Sequence, residues 1–240
     1  MKWTGNYIVN ANDIDMNFVV SVSNIFRYMQ DAANCQMEQD GPSYKELFDR
    51  DLAFVVSRFN ISLYAPLHSH DKIEVQSWAC ESKGVTFNRC YRILRDGVIM
   101  AEAVSAWALA GVHDRKLHRV NEFDDLNYGM DEMLELDMPA RMRIPDGVNF
   151  SLVGERTVEY GDTDMNGHMN NTKYPDMICG FIGDMKGKRV ISMALNFVSE
   201  APLGETLKVY RGESDGVHYI RTVRGNGNVN IEAEIITETI

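Results

Sequence analysis

His168 and Glu200 are the side chains in this sequence with the types and surroundings to move protons during a reaction. An imidazole titrates near pH 6.5, so it can take or give a proton at neutrality. A carboxylate held in an apolar cleft becomes a better base, because desolvation disfavours its charged form. His168 stands in Asp162-Thr-Asp-Met-Asn-Gly-His-Met-Asn-Asn171, and Glu200 opens Glu200-Ala-Pro-Leu203. Each string has an altered copy earlier in the chain. Asp13-Ile-Asp-Met-Asn17 lies 149 positions before the first, and Tyr64-Ala-Pro-Leu67 lies 136 positions before the second. Val19 occupies the position matching His168, and Tyr64 the position matching Glu200. Two matches in the same order, with offsets that differ by a loop deletion, mark a unit written twice. The proton-transferring groups were kept in the second copy.

The neighbours of His168 suit supporting roles. Asn166 offers an amide donor and an acceptor, which can hold a water or a carbonyl without changing charge. Asp164 can fix the histidine or its loop by accepting hydrogen bonds. Asp162, Asn170 and Asn171 have the composition of turns and helix caps. Because Asp15 and Asn17 persist in the copy that lacks the histidine, Asp164 and Asn166 are expected to serve loop geometry in part. The loop leads to a helix starting near Lys173, whose free amides would face a developing oxyanion.

The elements that must position these residues repeat in the same order. In the first half, Ser23 or Asn24 is placed to cap a helix with Ile25, Tyr28, Met29, Ala32, Ala33 and Met37 at helical spacing, ending at Asp40-Gly41-Pro42. A short helix near 43–50 follows, then alternating, β-branched stretches at 53–65, 72–82, 85–94 and 98–112, with a hairpin turn at Asp96-Gly97. The second half reads as a strand at 150–160 and a long helix at 173–185, with Tyr174, Met177, Ile178, Phe181, Ile182 and Met185 on its apolar side. Asn171 or Thr172 is placed to cap it, Pro175 fits its first turn, and Gly187 lies beyond its end. Strands at 189–199, 206–213, 217–224 and 229–239 complete the half, and Arg224-Gly-Asn-Gly227 reads as a hairpin rather than a phosphate loop. The expected fold class is therefore α+β: two tandem units, each a long helix packed on a curved antiparallel sheet. Residues 1–122 form the first unit, 123–147 a linker containing Pro139, Arg141, Arg143 and Pro145, and 148–240 the second.

Composition narrows the function. At 240 residues and 45% hydrophobic content the chain can bury one large core or two of about 110 residues each, and the repeat favours two. A formal net charge of −11 argues against a nucleic-acid or anionic-membrane surface. No run approaches the ~20 apolar residues of a membrane span, and the N-terminus lacks the apolar core of a signal peptide. A cytoplasmic location is expected. Cys35, Cys80, Cys90 and Cys179 lack zinc spacing and read as buried free thiols, and without secretion the Asn60 and Asn170 sequons carry no meaning. His68-x-His70 would place two rings on one strand face with only Asp71 beside them, a poor metal site. His113, His118 and His218 fall near loops or strand ends. No cofactor or metal is expected.

The string Asp164-Met-Asn166-Gly-His168-Met-Asn-Asn171, followed by Tyr174 and Glu200 in helix-plus-meander repeats, resembles the acyl-acyl carrier protein thioesterases, which are double hotdog proteins. The resemblance implies hydrolysis of a fatty acyl thioester in fatty acid biosynthesis, with the two halves fused as a pseudo-dimer. It carries the catalytic positions to Asp164, Asn166, His168 and Glu200. Many plant members have a cysteine after the glutamate, whereas this chain has Ala201, and Cys179 on the apolar helix side is a poor substitute nucleophile. A thioester carbonyl is already reactive, so an oriented water, a base and dipoles aimed at the oxyanion suffice.

The first unit, freed from chemistry, would line an acyl tunnel with Phe26, Met29, Ala33 and Met37, while Asn170, Asn171 and Tyr174 line the reacting end. The implied partner is an acidic acyl carrier protein, for which Lys186, Lys188 and Arg189, or Arg89, Arg92 and Arg95, are docking candidates. An acyl-CoA thioesterase, a hotdog dehydratase acting on β-hydroxyacyl groups, and a non-catalytic acyl-binding module are the alternatives. A monomer or a homodimer is compatible with the repeat.

Overall fold

The computed structural model describes residues 2–126, 128–136 and 144–240. The first half runs β1 (Trp3–Ile8), α1 (Val22–Asp40), α2 (Tyr44–Asp49), β2 (Leu52–Leu63), β3 (Lys72–Lys83), β4 (Thr86–Arg95), β5 (Val98–Gly111) and the two-residue β6 (Leu117–His118). The second half runs β7 (Ser151–Thr157), α3 (Tyr174–Cys179), β8 (Lys188–Phe197), β9 (Thr206–Ser214), β10 (Val217–Val223) and β11 (Val229–Thr239). All the strands join one antiparallel sheet in the order β1-β3-β4-β5-β2-β8-β11-β10-β9-β7, with β6 beside β5. Read outward from the centre, each half has the same strand order. The halves meet where β2 pairs with β8, Arg58 opposite Asn196 through Ser62 opposite Ser192.

α1 forms because its buried residues Ile25, Phe26, Met29, Ala32, Ala33, Gln36 and Met37 recur at spacings of three and four, giving one continuous buried stripe. Its cap is Ser21, whose Oγ accepts from Asn24 N at 3.3 Å, so neither Ser23 nor Asn24 caps it. Ser23 Oγ instead accepts from Asp176 N in α3 at 3.0 Å, and Asn24 Nδ2 donates to Asp13 O at 2.9 Å. Gly41, at φ +59°, closes the helix with its N–H on Met37 O.

The long helix expected at 173–185 is replaced by six residues. Asn170 caps a 3-10 turn at Asn171–Lys173 that leads into α3, and the helix stops at Gly180. Glycines at 180 and 183 each weaken a helix by about 1 kcal/mol, and Gly183 adopts φ +113°, outside helical space. Ile178 and Ile182 are still buried, so the apolar spacing survives without the helix.

Two separate cores are not what forms. Ile25, Phe26 and Met29 of α1 belong to the same buried cluster as Phe59 and Ile61 of β2, Met193 and Leu195 of β8, and Ile231 and Ala233 of β11. Pairing β2 with β8 makes one sheet face continuous, and residues on it bury one another across the seam. Smaller clusters lie under residues 123–126 and 128–136. Tyr128 packs with Met37, Leu47 and Leu109 on the α1 side, whereas Leu134 and Leu136 cover Trp78, Cys80 and Cys90 on the opposite face. The segment passes along β3, where Asp131 N donates to Ala79 O at 3.0 Å, and Trp78 Nε1 donates to Glu132 O at 2.8 Å. Much of the expected linker is thus a strap on the first half. Pro139, Arg141 and Arg143 lie outside the described residues.

Candidate active site

The loop before α3 is a tight turn stitched by backbone bonds. Asp164 N donates to His168 O at 3.0 Å, and Gly167 N donates to Asp164 O at 3.0 Å. Gly167 takes φ +74°, a conformation that favours glycine. Asp164 Oδ1 accepts from Asn166 N at 2.8 Å, an Asx turn. The first copy repeats this arrangement, with Asp15 Oδ1 accepting from Asn17 N at 2.8 Å and Asp15 N donating to Val19 O at 2.8 Å. The aspartate therefore shapes the loop in both halves. Asp162 is buried and structural: Arg156 Nη2 reaches both its oxygens, at 2.8 and 2.7 Å, and Glu159 N donates to it at 2.9 Å.

The loop is docked on the segment that follows β8. Met169 N donates to Ala201 O at 2.8 Å, and Leu203 N donates to Gly167 O at 3.1 Å. This docking brings the imidazole of His168 and the carboxylate of Glu200 together across the 32 positions that separate them. His168 Nε2 lies 3.4 Å from Glu200 Oε2, with the side chains 22% and 41% exposed. Glu200 Oε1 accepts from Arg115 Nη1 at 3.0 Å. Arg115 comes from the turn between β5 and β6 in the first half, and nothing in its local sequence singles it out. Glu200 is thus held by a guanidinium at a partly wet rim, not sealed in the apolar cleft that the sequence suggested.

Asp164, Asn166, His168 and Glu200 all line one cavity of about 610 Å3. Its volume is ordinary for a small-molecule site. The Asn166 side chain makes no hydrogen bond among the described residues, so its amide is available to a ligand. Against this geometry, the sequence matches the family model for the acyl-ACP thioesterase N-terminal domain over residues 1–126, and that for the C-terminal domain over 149–238. The chain belongs to the acyl-ACP thioesterase family.

Among relatives, the chain is 23% identical over 210 residues to the chloroplastic palmitoyl-acyl carrier protein thioesterase of Arabidopsis thaliana, covering 81% of this chain and 51% of that protein. It spans about half the length of such curated relatives. Its fold matches that of an acyl-ACP thioesterase from Bacteroides thetaiotaomicron with a TM-score of 0.88 at 21% identity, covering 99% of this chain and 98% of the other. The 12:0-ACP thioesterase of Umbellularia californica matches with a TM-score of 0.86 at 17% identity, covering 100% and 98%.

For this thioesterase-family chain, the structure sorts the expected substrate-contacting residues. Ala33, Met37, Asn170, Asn171 and Tyr174 line the cavity. Phe26 and Met29 do not: they fill the shared core, Phe26 lying 3.9 Å from the Phe59 ring centroid. Helical spacing cannot distinguish a stripe facing a cavity from one facing a sheet. Asn170 Oδ1 is used as a cap, accepting from Thr172 N at 2.9 Å. Tyr174 OH accepts from Asn230 Nδ2 at 3.1 Å, and burial pushes its hydroxyl up to about 12.

The amides expected to face an oxyanion are already occupied. Lys173 N donates to Asn170 O, Tyr174 N to Asn171 O and Asp176 N to Ser23 Oγ. Cys179 is unsuited to nucleophilic attack, because desolvation first, and then Asp176, push its thiol up to about 12. Cys80 and Cys90 are buried free thiols 3.1 Å apart, whereas Cys35 and Cys179 are only partly enclosed.

The corresponding loop of the first copy borders a smaller cavity than the one at His168. A cavity of about 220 Å3 remains beside Asp15, Asn17 and Val19. Asn17 spans its rim by donating to Met185 O at 2.8 Å and Lys188 O at 2.9 Å and accepting from Gly187 N at 2.8 Å. Tyr64 OH donates to Glu102 at 3.0 Å.

Most of the proposed basic docking residues are committed elsewhere. Arg89 is buried, Arg92 pairs with Glu102, Arg95 with Asp71 and Arg189 with Glu238. Lys186 and Lys188 form no ion pair among the described residues. His68 and His70 lie in the turn after β2 rather than on a strand, with His68 Nδ1 bonded to Phe18 O at 2.9 Å. No group of three or more metal-ligating residues occurs among the described residues. No helix there is long and apolar enough to cross a membrane.

Proposed function

We propose that the protein hydrolyses fatty acyl thioesters borne by acyl carrier protein, releasing the free acid, within a double hotdog fold in which the first half has lost its site. The observation that carries this reading is the meeting of His168 and Glu200, 3.4 Å apart, on the wall of a cavity that extends over the first half. In the reaction, a water attacks the thioester carbonyl and its proton passes into the His168–Glu200 pair. The Asn166 amide is the donor positioned for the oxyanion. Collapse of the tetrahedral intermediate breaks the C–S bond, and the leaving thiolate takes the proton from the pair. Catalytic hydrogen bonds are often long before substrate binds, so 3.4 Å suits a pair that tightens on the substrate. Arg115 positions Glu200 by holding Oε1 and leaving Oε2 toward the imidazole.

The division into residues 1–122, 123–147 and 148–240 belongs to the same proposal, supported by the identical strand order of the halves. A monomer follows naturally, because β2 and β8 already occupy each other's edges. A cytoplasmic location is supported by four cysteines without a disulfide, although the names of the plant relatives place those proteins in the chloroplast. Thiol release from matched carrier-bound and CoA thioesters, at low and high salt, tests the reading. Wild type should turn over while His168→Ala and Glu200→Ala do not. Equal rates in all three proteins would remove the site assignment. An acyl-CoA preference at both salt concentrations, an enoyl product without thiol release, or ligand binding without turnover would select the respective alternatives.

A further inference from the structure

The cavity does not end as it begins. From the polar group around His168 it passes over an apolar waist including Phe54, Val56, Trp107 and Phe197, and then reaches Arg89 on β4. The pairing register places Arg89 opposite Ser105, Ser105 opposite Phe59 and Phe59 opposite Leu195, so one row crosses the sheet from β4 to β8. Three strand spacings separate the ends of that row, about 14 Å.

Arg89 is only 8% exposed. Its Nη1 donates to Gln36 Oε1 at 2.5 Å and Ser77 Oγ at 2.8 Å, both neutral acceptors. Asp40 stands one step behind, accepting from Gln36 Nε2 at 3.3 Å. Among the described residues Arg89 forms no ion pair and its Nε and Nη2 have no hydrogen-bond partner, while its guanidinium carbon lies 5.9 Å from the centroid of the Tyr128 ring. Buried charges are ordinarily paired, because leaving one without a counter-group is costly. Burial here pushes the guanidinium below its ordinary range, the direction expected when no counter-charge touches it.

Resting on the thioesterase reading, we propose that Arg89 selects the distal end of the acyl chain. Chains long enough to reach it are accepted when they carry an oxygen acceptor there, a hydroxyl or a carboxylate, whereas methyl-ended chains are accepted only while they stop in the apolar waist. A methyl end against Arg89 would displace solvent and leave its donors unmet. A site built to hydrogen-bond a group discriminates strongly against an analogue that lacks it.

The test is a length ladder of carrier-bound thioesters in three series, ending in methyl, hydroxyl or carboxyl, assayed by thiol release with wild type and Arg89→Met. At the length that reaches Arg89, wild type should favour an oxygen-ended chain on the order of 10- to 100-fold in kcat/KM. Which of the two oxygen ends gains more identifies the natural group. Arg89→Met should bring the ratio near one and extend the methyl series to longer chains. If that variant does not fold, calorimetry of wild type with free ω-hydroxy, dicarboxylic and plain fatty acids of matched length supplies the comparison. No oxygen advantage at any length in wild type, or an undiminished advantage in Arg89→Met, overturns the proposal. If no thioester is cleaved at all, the hydrolase reading fails separately, and the calorimetric comparison still decides the role of Arg89.

Discussion

Replacing Glu200 with glutamine removes a charge while keeping the shape and the acceptor that Arg115 uses. The Arg115–Glu200 contact is 3.0 Å, which in bulk water corresponds to about 1.4 kcal/mol of Coulomb energy. With side chains 57% and 41% exposed, salt screening and side-chain entropy reduce this, so the variant should lose about 0–1 kcal/mol of stability. Under the proposed mechanism catalysis responds differently, because an amide cannot share the proton that passes from the attacking water into the pair. The loss of a positioned acid–base group predicts a kcat lower by about 10²–10⁴-fold. The assay pairs thiol release under saturating substrate with urea unfolding of the same preparation. A fall in kcat of less than about threefold would refute the proton-transfer role. An unfolding loss above about 3 kcal/mol would instead show that Glu200 holds the fold.

Asn17→Ala removes three hydrogen bonds between the first-copy loop and the segment before β8, and should cost about 2 kcal/mol by urea unfolding with kcat kept within about threefold. Met29→Ala, at a fully buried position away from the cavity, should cost about 2–5 kcal/mol while leaving the order of preferred chain lengths unchanged. Raising the pH should destabilise the protein through Cys179 and Tyr174. Their folded-state pKa values are pushed up, from 9.0 and 10.0 to about 12, so the stability they contribute is complete below pH 9 and is lost progressively toward pH 12. Denaturant midpoints measured between pH 8 and 11 check this, and Cys179→Ala should flatten part of the decline.

The strands were legible because alternation with period two is written locally. Expected 72–82 and 229–239 correspond to Lys72–Lys83 and Val229–Thr239. The duplicated Asp-x-Asp-x-Asn string also located the loop that carries His168, since the same Asx turn forms at Asp15 and Asp164. The helix at 173–185 was misjudged because Tyr174, Met177, Ile178, Phe181 and Ile182 keep helical spacing even though Gly180 and Gly183 end the helix. Here backbone preference outweighed the apolar pattern.

Sequence by itself determined the residue types available for chemistry, their confinement to the second copy, and the order of the elements, because each is encoded within a few neighbouring positions. Tertiary structure alone decided that Arg115 reaches Glu200 from the other half, that Phe26 and Met29 face the core while Ala33 and Met37 face the cavity, and that Arg89 is enclosed without an ion-pair partner among the described residues. Those outcomes depend on which surfaces meet when β2 pairs with β8 and α1 settles on the sheet. A contact between groups 85 positions apart leaves no periodic trace in the chain, since it is fixed by packing and not by local backbone preference.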